Sequence, residues 1–358
     1  MRRWAVVLAV TLLVVVARAG ELDDLGQQVL AHPTDPSALQ AAQTLLQKYP
    51  LGEETTHDRT VAVYDAAEVY GACAVVVGRH LLRQGKPLEA LTLCDLYLKV
   101  FPGGLTGHWP PQVYELTAKA GAGGSLVPEQ AAGRAQALRQ FVLDRGRVFP
   151  STTLFADLLA LYEVARQKAE GRRFVQELPF SRPEIVEVPG YWKARVGMYM
   201  GAGENDKAQQ AAVWGYRLAP LSPDPAKDDT LQQLLRTLVI TEGRVGIEAF
   251  LEYLKTGQGE NPLATVPPLP MTEAQREQLE AASVGNWGLA VDARLLQGQF
   301  TEALQAAQVQ ALSDGATAQA GVTSIARCFK AKDLHCLRAN QYLQWVKTGQ
   351  GTNPVGTF

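Results

Sequence analysis

The chain has 358 residues, of which 47% are hydrophobic and 20% charged, and its formal net charge is −2. This balance is typical of a globular protein that is long enough for one large core or for an array of small ones. The chain lacks the basic surplus of a nucleic-acid-binding protein, so nucleic acid is not expected as a partner.

The first 19 residues have the layout of a cleaved secretory signal. Arginines in "MRRW" precede the apolar run "AVVLAVTLLVVV", and "ARA" supplies small residues ahead of Gly20. The 12-residue apolar run would rise about 18 Å as a helix, against about 30 Å of bilayer hydrocarbon, so it is too short to span a membrane. We therefore expect residues 1–19 to be removed, and the mature protein to be secreted or periplasmic with no membrane span.

Residues 70–104, "YGACAVVVGRHLLRQGKPLEALTLCDLYLKVFPGG", predict two helices joined by a tight turn at Gln84-Gly85 and ended by Pro102. Because the apolar stripe on each helix is wide, neither helix is stable alone, and two helices joined by so few residues pack antiparallel. The stripe of the second helix recurs at steps of three and four residues, at Leu91, Cys94, Leu98 and Phe101.

This hairpin resembles a tetratricopeptide repeat, the helix-turn-helix unit of α-solenoids. That family has a small residue where the helices cross, a glycine that closes the first helix, an alanine early in the second and a proline after it. A close helix crossing admits only glycine or alanine, and proline cannot continue a helix. The positions that match are Gly78, Gly85, Ala90 and Pro102. The resemblance implies an all-α fold, a right-handed α-solenoid of stacked antiparallel hairpins.

Two later segments fit the same frame, and looser copies lie over residues 230–257 and 321–349. The first segment matches at Trp192, Tyr199, Gly203, Ala208 and Pro220. The second matches at Trp287, Gly298, Phe300 and Ala303, with Val291 in place of the small crossing residue and Gly315 in place of the final proline. In this frame Trp192 and Trp287 are expected to be core residues.

The pentapeptide KTGQG occurs twice, at residues 255–259 and 347–351, and Asn-Pro follows each copy closely. "KAQQAA" at 207–212 also matches "EALQAA" at 302–307. We interpret these matches as a duplicated module of two hairpins that ends in KTGQG. The pentapeptide then ends a helix, with lysine near the negative end of the helix dipole and glycine as a left-handed cap. A duplicated binding loop is the alternative.

These patterns predict a signal peptide at 1–19, N-terminal repeats at 20–190, and C-terminal repeats at 191–358 that contain the duplicated module. Two proline-rich stretches, 178–190 and 261–272, are interpreted as spacers between copies. The second stretch has an alternative interpretation, a polyproline II ligand for another protein.

The chain has four cysteines, an even number that permits disulfides in an exported protein. Residues equidistant from the turn of an antiparallel hairpin lie at the same level, so each pair could bridge its two helices. The predicted pairs are Cys73–Cys94 about the turn at Gln84-Gly85, and Cys328–Cys336 about a turn at Lys332-Asp333. Four separate buried thiols are the alternative.

The sequence shows no catalytic or metal-binding frame. None of the five histidines lies in a nucleophile elbow or an HExxH helix. Cysteine and histidine seven residues apart share a helical face, but a structural zinc site needs four ligands, commonly in close CxxC pairs, and no such pair is present. The two spacings are Cys73 with His80 and Cys328 with His335. We expect no catalytic residue, no metal and no cofactor.

The resemblance implies a non-enzymatic scaffold that holds a protein or peptide partner against a concave surface. Partner contacts in the family come from the first helix of each hairpin, on the side away from the second helix. The corresponding positions are Arg79, Arg83, Lys193, Met200, Asp292 and Leu295.

Two other classes of function compete with the scaffold. One is a secreted helical enzyme or carbohydrate-binding protein with a cleft between hairpins, and the other is a structural module that associates with itself. A deep pocket with two converging carboxylates would favour the enzyme, whereas an open groove would favour the scaffold.

Overall fold

The computed structural model describes residues 24–52, 63–101, 109–123, 126–145, 153–222, 224, 227–241, 244–259 and 261–358. These ranges contain helices and no strand, which confirms the all-α prediction. The predicted signal peptide lies outside the described residues.

In chain order the helices are α1 (24–31), α2 (Pro36–Lys48), α3 (Val63–Arg83), α4 (Pro87–Val100), α5 (Trp109–Ala122), α6 (Pro128–Arg145), α7 (Leu154–Val164), α8 (Lys168–Ser181), α9 (Pro189–Met200), α10 (Asn205–Leu218), α11 (Asp229–Thr241), α12 (Arg244–Thr256), α13 (Glu273–Ser283), α14 (Trp287–Leu296), α15 (Phe300–Ala311), α16 (Gly315–Asp333) and α17 (Leu337–Thr348). Short 3-10 helices follow α8, at Pro183–Glu187, and α17, at Pro354–Thr357.

The chain forms two compact units. The first comprises the described residues up to Phe141 together with Ala160–Arg166, and the second comprises those of Val142–Leu159 and Gln167–Phe358. The proline-rich stretch 178–190 lies within the second unit, where the 3-10 helix Pro183–Glu187 is largely buried. The stretch interpreted as a spacer between copies therefore also contributes to a core.

In the first unit α3 packs against α2, α4 and α5, and α4 also packs against α5. Gly78 lies at the closest of these approaches. A Cβ atom at Gly78 would come within 2.3 Å of Cδ2 of Leu116 in α5, and would lie 3.9 Å from Sγ of Cys94 in α4. The small residue is thus needed mainly for the contact between α3 and α5, in addition to the predicted crossing with α4.

In the second unit, two sets of four helices follow each other, α9–α12 and α14–α17. In both sets the first helix packs against the second and the third, the second against the third, and the third against the fourth. The cores of these sets are built from alanine, leucine and aromatic side chains, among them Ala208, Tyr216, Leu234 and Phe250.

Both KTGQG copies end a helix with the same backbone. The helices α12 and α17 stop at the threonine of the motif, and the next residues, Gly257 and Gly349, have φ of +61° and +68°. The N–H of Gly257 donates to the carbonyl of Tyr253 at 2.8 Å, and that of Gly349 to Trp345 at 2.7 Å. The prediction of a helix end with a left-handed glycine cap is confirmed.

The two cap glycines differ in their surroundings, which yields a matched prediction. A Cβ at Gly257 would lie 2.8 Å from Cδ1 of Leu337 and 3.2 Å from Nε2 of His335, whereas nothing lies within 4 Å at Gly349. Gly349→Ala is therefore expected to cost about 1 kcal/mol, from backbone strain alone. Gly257→Ala adds overpacking and is expected to cost about 2 to 3 kcal/mol in the free energy of unfolding. Urea denaturation measures both, and equal losses would contradict the close packing at Gly257.

The two tryptophans expected in the core have different environments. Trp192, the fourth residue of α9, is 1% exposed, and its indole N–H donates to the carbonyl of Val186 at 2.8 Å. Trp287 is 49% exposed. The core prediction is confirmed for Trp192 and wrong for Trp287, because Trp287 is the first residue of α14, at the exposed end of its hairpin, whereas the 3-10 helix Pro183–Glu187 covers Trp192.

Candidate functional site

An open groove of about 760 Å³ lies in the first unit, between α4, α5 and α6. Its walls come from α4 and α6, and α5 contributes the floor. The residues that define it are Leu91, Asp95 and Leu98 of α4, Tyr114 and Thr117 of α5, and Arg134 and Leu138 of α6. We refer to it as the α4–α5–α6 groove.

Helical spacing brings these side chains to one side of each helix. Asp95 lies one turn after Leu91, and Leu98 follows three residues later, so all three lie on the groove side of α4. Arg134 and Leu138 are likewise one turn apart in α6. The apolar stripe of α4 extends beyond its contact with α3, because Leu88, which also lines the groove, is 52% exposed.

A bidentate ion pair joins the two walls. Arg134 donates from Nη1 to Oδ1 of Asp95 at 2.7 Å and from Nη2 to Oδ2 at 2.5 Å. The hydrogen bond to the Asp95 carboxylate raises the pKa of Arg134 above its ordinary value. Both side chains keep some exposure, so the pair contributes little stability by itself. The pair bridges α4 and α6 across the groove.

The cysteine nearest the groove is not a reactive thiol. Cys94 is fully buried beside the groove residue Thr117, with which its thiol is hydrogen-bonded, and burial raises the pKa of Cys94 to about 12. A thiol with so high a pKa is protonated at neutral pH, and the thiolate is the nucleophile. Cys94 therefore acts as a packing residue.

All four cysteines are free thiols, so the predicted disulfides Cys73–Cys94 and Cys328–Cys336 are not formed. In the first pair, Cys94 lies level with Gly78, five residues and about 7.5 Å further along α3 than Cys73. The two cysteines therefore do not lie at the same level of the hairpin, contrary to the symmetry on which the prediction rested.

In the second pair, the two thiols face different sides of α16. Cys336 is hydrogen-bonded to Tyr216 and lies near the ammonium of Lys330. Cys328 and Lys330 are two residues apart on α16 and therefore point about 200° apart. The side of α16 that carries Lys330 and meets Cys336 is thus not the side that carries Cys328.

Most of the six residues predicted to contact a partner remain on the surface, but two do not. Arg79, Arg83 and Lys193 are exposed, and Met200 is half-buried against the core of the second unit. Asp292 and Leu295 are 1% and 0% exposed, so a partner cannot contact them in this fold, and their assignment is corrected. None of the six lines the α4–α5–α6 groove.

Asp292 is buried because it forms an internal ion pair. Asp292 of α14 binds the guanidinium of Arg327 in α16, and Glu187 of the 3-10 helix binds the same guanidinium from another side. Arg327 is 3% exposed. This triad joins three elements of the second unit, so Asp292 has a structural role.

A second buried cation in this unit is also structural. Lys330 is 0% exposed, and its Nζ donates to the carbonyls of Ala219 at 3.2 Å and Pro220 at 3.3 Å. Nζ also lies 3.7 Å from Oδ2 of Asp228. Burial lowers the pKa of Lys330 below its ordinary value. The two carbonyls take two of the three ammonium donors, and the Asp228 carboxylate supplies the counter-charge.

Within the described ranges, no group of three or more histidine, cysteine, aspartate or glutamate side chains is placed to hold a metal ion. In the same ranges, no helix combines the length and the apolar character that crossing a membrane requires. Comparison with protein-family models, with curated proteins and with solved structures finds no match to this chain.

Proposed function

We propose that the protein is an exported, non-enzymatic helical-repeat scaffold that binds a protein or peptide segment in the α4–α5–α6 groove. The observation that carries this proposal is the groove itself, which is open, lined by leucine side chains together with polar ones, and bridged by the pair Asp95–Arg134. An amphipathic helix that places its apolar face in such a groove is a common mode of peptide recognition.

The packing order of the helices supports a repeat architecture of the tetratricopeptide type. In α3–α5, α9–α11 and α14–α16 the first helix packs against the second and the third, and the second against the third. Stacked hairpins bury their apolar surface against neighbouring hairpins in this way. On this basis we propose α-solenoid stacking within each unit, and a duplicated module in α9–α12 and α14–α17.

The groove chemistry favours binding over catalysis. Asp95 is the one carboxylate among the described residues that line the groove, and both of its oxygens accept hydrogen bonds from Arg134. A hydrolytic site needs a second acid or base placed to act with the first. These residues include no such pair, so they do not favour the alternative function, a helical enzyme or carbohydrate-binding protein.

Photocrosslinking at the groove tests the proposal. Thr92 is exposed on the groove wall, so benzoylphenylalanine at position 92 is expected to form a specific adduct in extracts of the native source. The control carries the crosslinker at Gln43, which is exposed on α2 in the same unit and does not line the groove. Leu88→Glu is expected to reduce the adduct at position 92 about tenfold, because a charge then faces the apolar groove. An identical adduct pattern from positions 92 and 43 would contradict the proposal.

A further inference from the structure

A proline-rich segment of this chain is bound along one of its own helices. The indole N–H of Trp214 in α10 donates to the carbonyl of Pro267 at 2.7 Å. The amide of Gln210, one turn earlier, donates to the carbonyls of Pro267 at 3.1 Å and Pro268 at 3.0 Å. The segment 261–270, which begins with a turn at 262–265, is thus held against α10 by the backbone carbonyls of Pro267 and Pro268.

These contacts suit a proline-rich segment. Proline has no N–H, so an extended segment that contains it offers carbonyl acceptors without competing donors. Grooves that recognise such segments combine aromatic surface with side-chain donors. In α10 both are present, while Leu263 and Leu269 of the segment are buried on either side of the two prolines. The spacer interpretation is therefore incomplete, because this stretch is a bound ligand within its own chain.

The second copy of the module repeats the helix. Alignment of "KAQQAA" at 207–212 with "EALQAA" at 302–307 places Gln305 of α15 at the position of Gln210, and Val309 at that of Trp214. The glycines that precede the two helices, Gly203 and Gly298, have φ of +72° and +75°. The helix α15 thus starts from the same turn and carries the same amide donor, while Val309 offers an apolar contact but neither the aromatic ring nor the indole N–H of Trp214.

In the second copy this face is exposed. Val309 is 41% and Leu312 86% exposed, and Gln305 is exposed too. Gln305 and Val309 lie one turn apart on α15, and Leu312 is its C-cap residue, three positions further on. We call these three residues the α15 face. At the end of the same hairpin, Val284 and Trp287 are 81% and 49% exposed. Such clustered apolar exposure is a mark of interaction surfaces.

We propose that the α15 face binds a proline-rich segment of another protein, as α10 binds Pro267 and Pro268. Gln305 donates its amide to a carbonyl of that segment, and Val309 and Leu312 provide the apolar contact. The occupant is chosen by the first copy of the module, in which Pro267 and Pro268 cover the equivalent helix beside Phe300. This site and the α4–α5–α6 groove have no residue in common, so either proposal can fail without the other.

The test uses the full chain and a fluorescent peptide that copies residues 261–271, "NPLATVPPLPM". Fluorescence anisotropy is expected to show saturable binding. Val309→Lys is expected to raise Kd about tenfold or more, because it places a charge in the apolar contact. Leu343→Lys, at another exposed leucine on α17, is expected to leave Kd unchanged. A peptide with alanine in place of both Pro267 and Pro268 is expected to bind about tenfold more weakly.

Three outcomes would overturn the proposal. The first is the absence of saturable binding. The second is a loss of binding with Gln210→Ala and none with Val309→Lys, since the peptide would then displace the chain's own segment from α10. The third is a dimer in the absence of peptide that Val309→Lys dissociates, since a second copy of the chain would then cover the α15 face. Circular dichroism confirms that each variant is folded.

Discussion

Replacing Arg327 with methionine is expected to lower the free energy of unfolding by about 3 to 5 kcal/mol. The guanidinium is 3% exposed and binds both Asp292 and Glu187. Its removal takes the cation away from Asp292, whose carboxylate is buried, and a buried charge that loses its counter-charge is strongly destabilising. Methionine keeps much of the volume of the side chain, so the loss reports on charge rather than on a cavity.

Two further variants separate the buried charge from a general effect of losing an arginine. Arg294→Met removes a partly exposed guanidinium that donates to Gln299 at 2.9 Å and lies 3.7 Å from the exposed Glu280, so a loss of about 0 to 1 kcal/mol is expected. In the double variant Arg327→Met with Asp292→Leu, the buried carboxylate is gone as well. About 2 kcal/mol of the loss is expected to return, because well-packed apolar groups can replace a buried ion pair. Urea denaturation measures all three, and a loss below about 1 kcal/mol for Arg327→Met would show that the triad is hydrated.

The triad also shows why spacing alone misassigned Asp292. The frame of the repeat placed this acid on the outward side of a first helix. Its partner Arg327 is 35 residues away in sequence, and Glu187 is 140 residues from Arg327. Pairings over such separations depend on how hairpins pack against each other, and periodicity within one hairpin carries no information about them.

Local features could be predicted because their causes are local. The turn at Gly85, the start of α10 after Gly203 and the start of α15 after Gly298 all use glycines with positive φ, a backbone state that glycine adopts at no steric cost. The end of α12 and that of α17 follow from the same residue chemistry. These features are determined by a few consecutive residues, and the sequence contains them in full.

Which part of the chain packs over a helix face depends on residues far away in sequence. The predictions about buried and exposed faces therefore differed from the structure. Trp192 and Trp287 fill the same position of the repeat frame, yet a 3-10 helix covers only the first of them. The α4–α5–α6 groove was missed for a related reason. Its walls are the second helices of two hairpins, whereas the repeat frame directed attention to the first helices. The exposed Leu88, next to an otherwise buried stripe, was the available signal.

The closest helix contact in the second unit leads to the other large effect, a loss of about 3 kcal/mol or more for Gly321→Ala. Glycine inside a helix normally makes a protein less stable than alanine does, by about 0.5 to 1 kcal/mol, so a glycine-to-alanine change there usually raises the free energy of unfolding. Here a Cβ on α16 would lie 2.3 Å from the backbone N and 2.5 Å from Cα of Ala311 in α15. Backbone atoms cannot rotate away, so α16 would have to move off α15.

Gly197→Ala supplies the matched control, because Gly197 lies within α9 and nothing would come within 4 Å of its Cβ. This variant is expected to gain about 0.5 to 1 kcal/mol in the same urea titrations. If the same glycine-to-alanine change lowers the free energy of unfolding at position 321 and raises it at position 197, then the short distance between α15 and α16, and not helix propensity, requires glycine at position 321. A neutral result for Gly321→Ala would mean that the two helices separate at little cost. The buried contacts between α15 and α16 would then contribute less to the stability of the second unit than their proximity indicates.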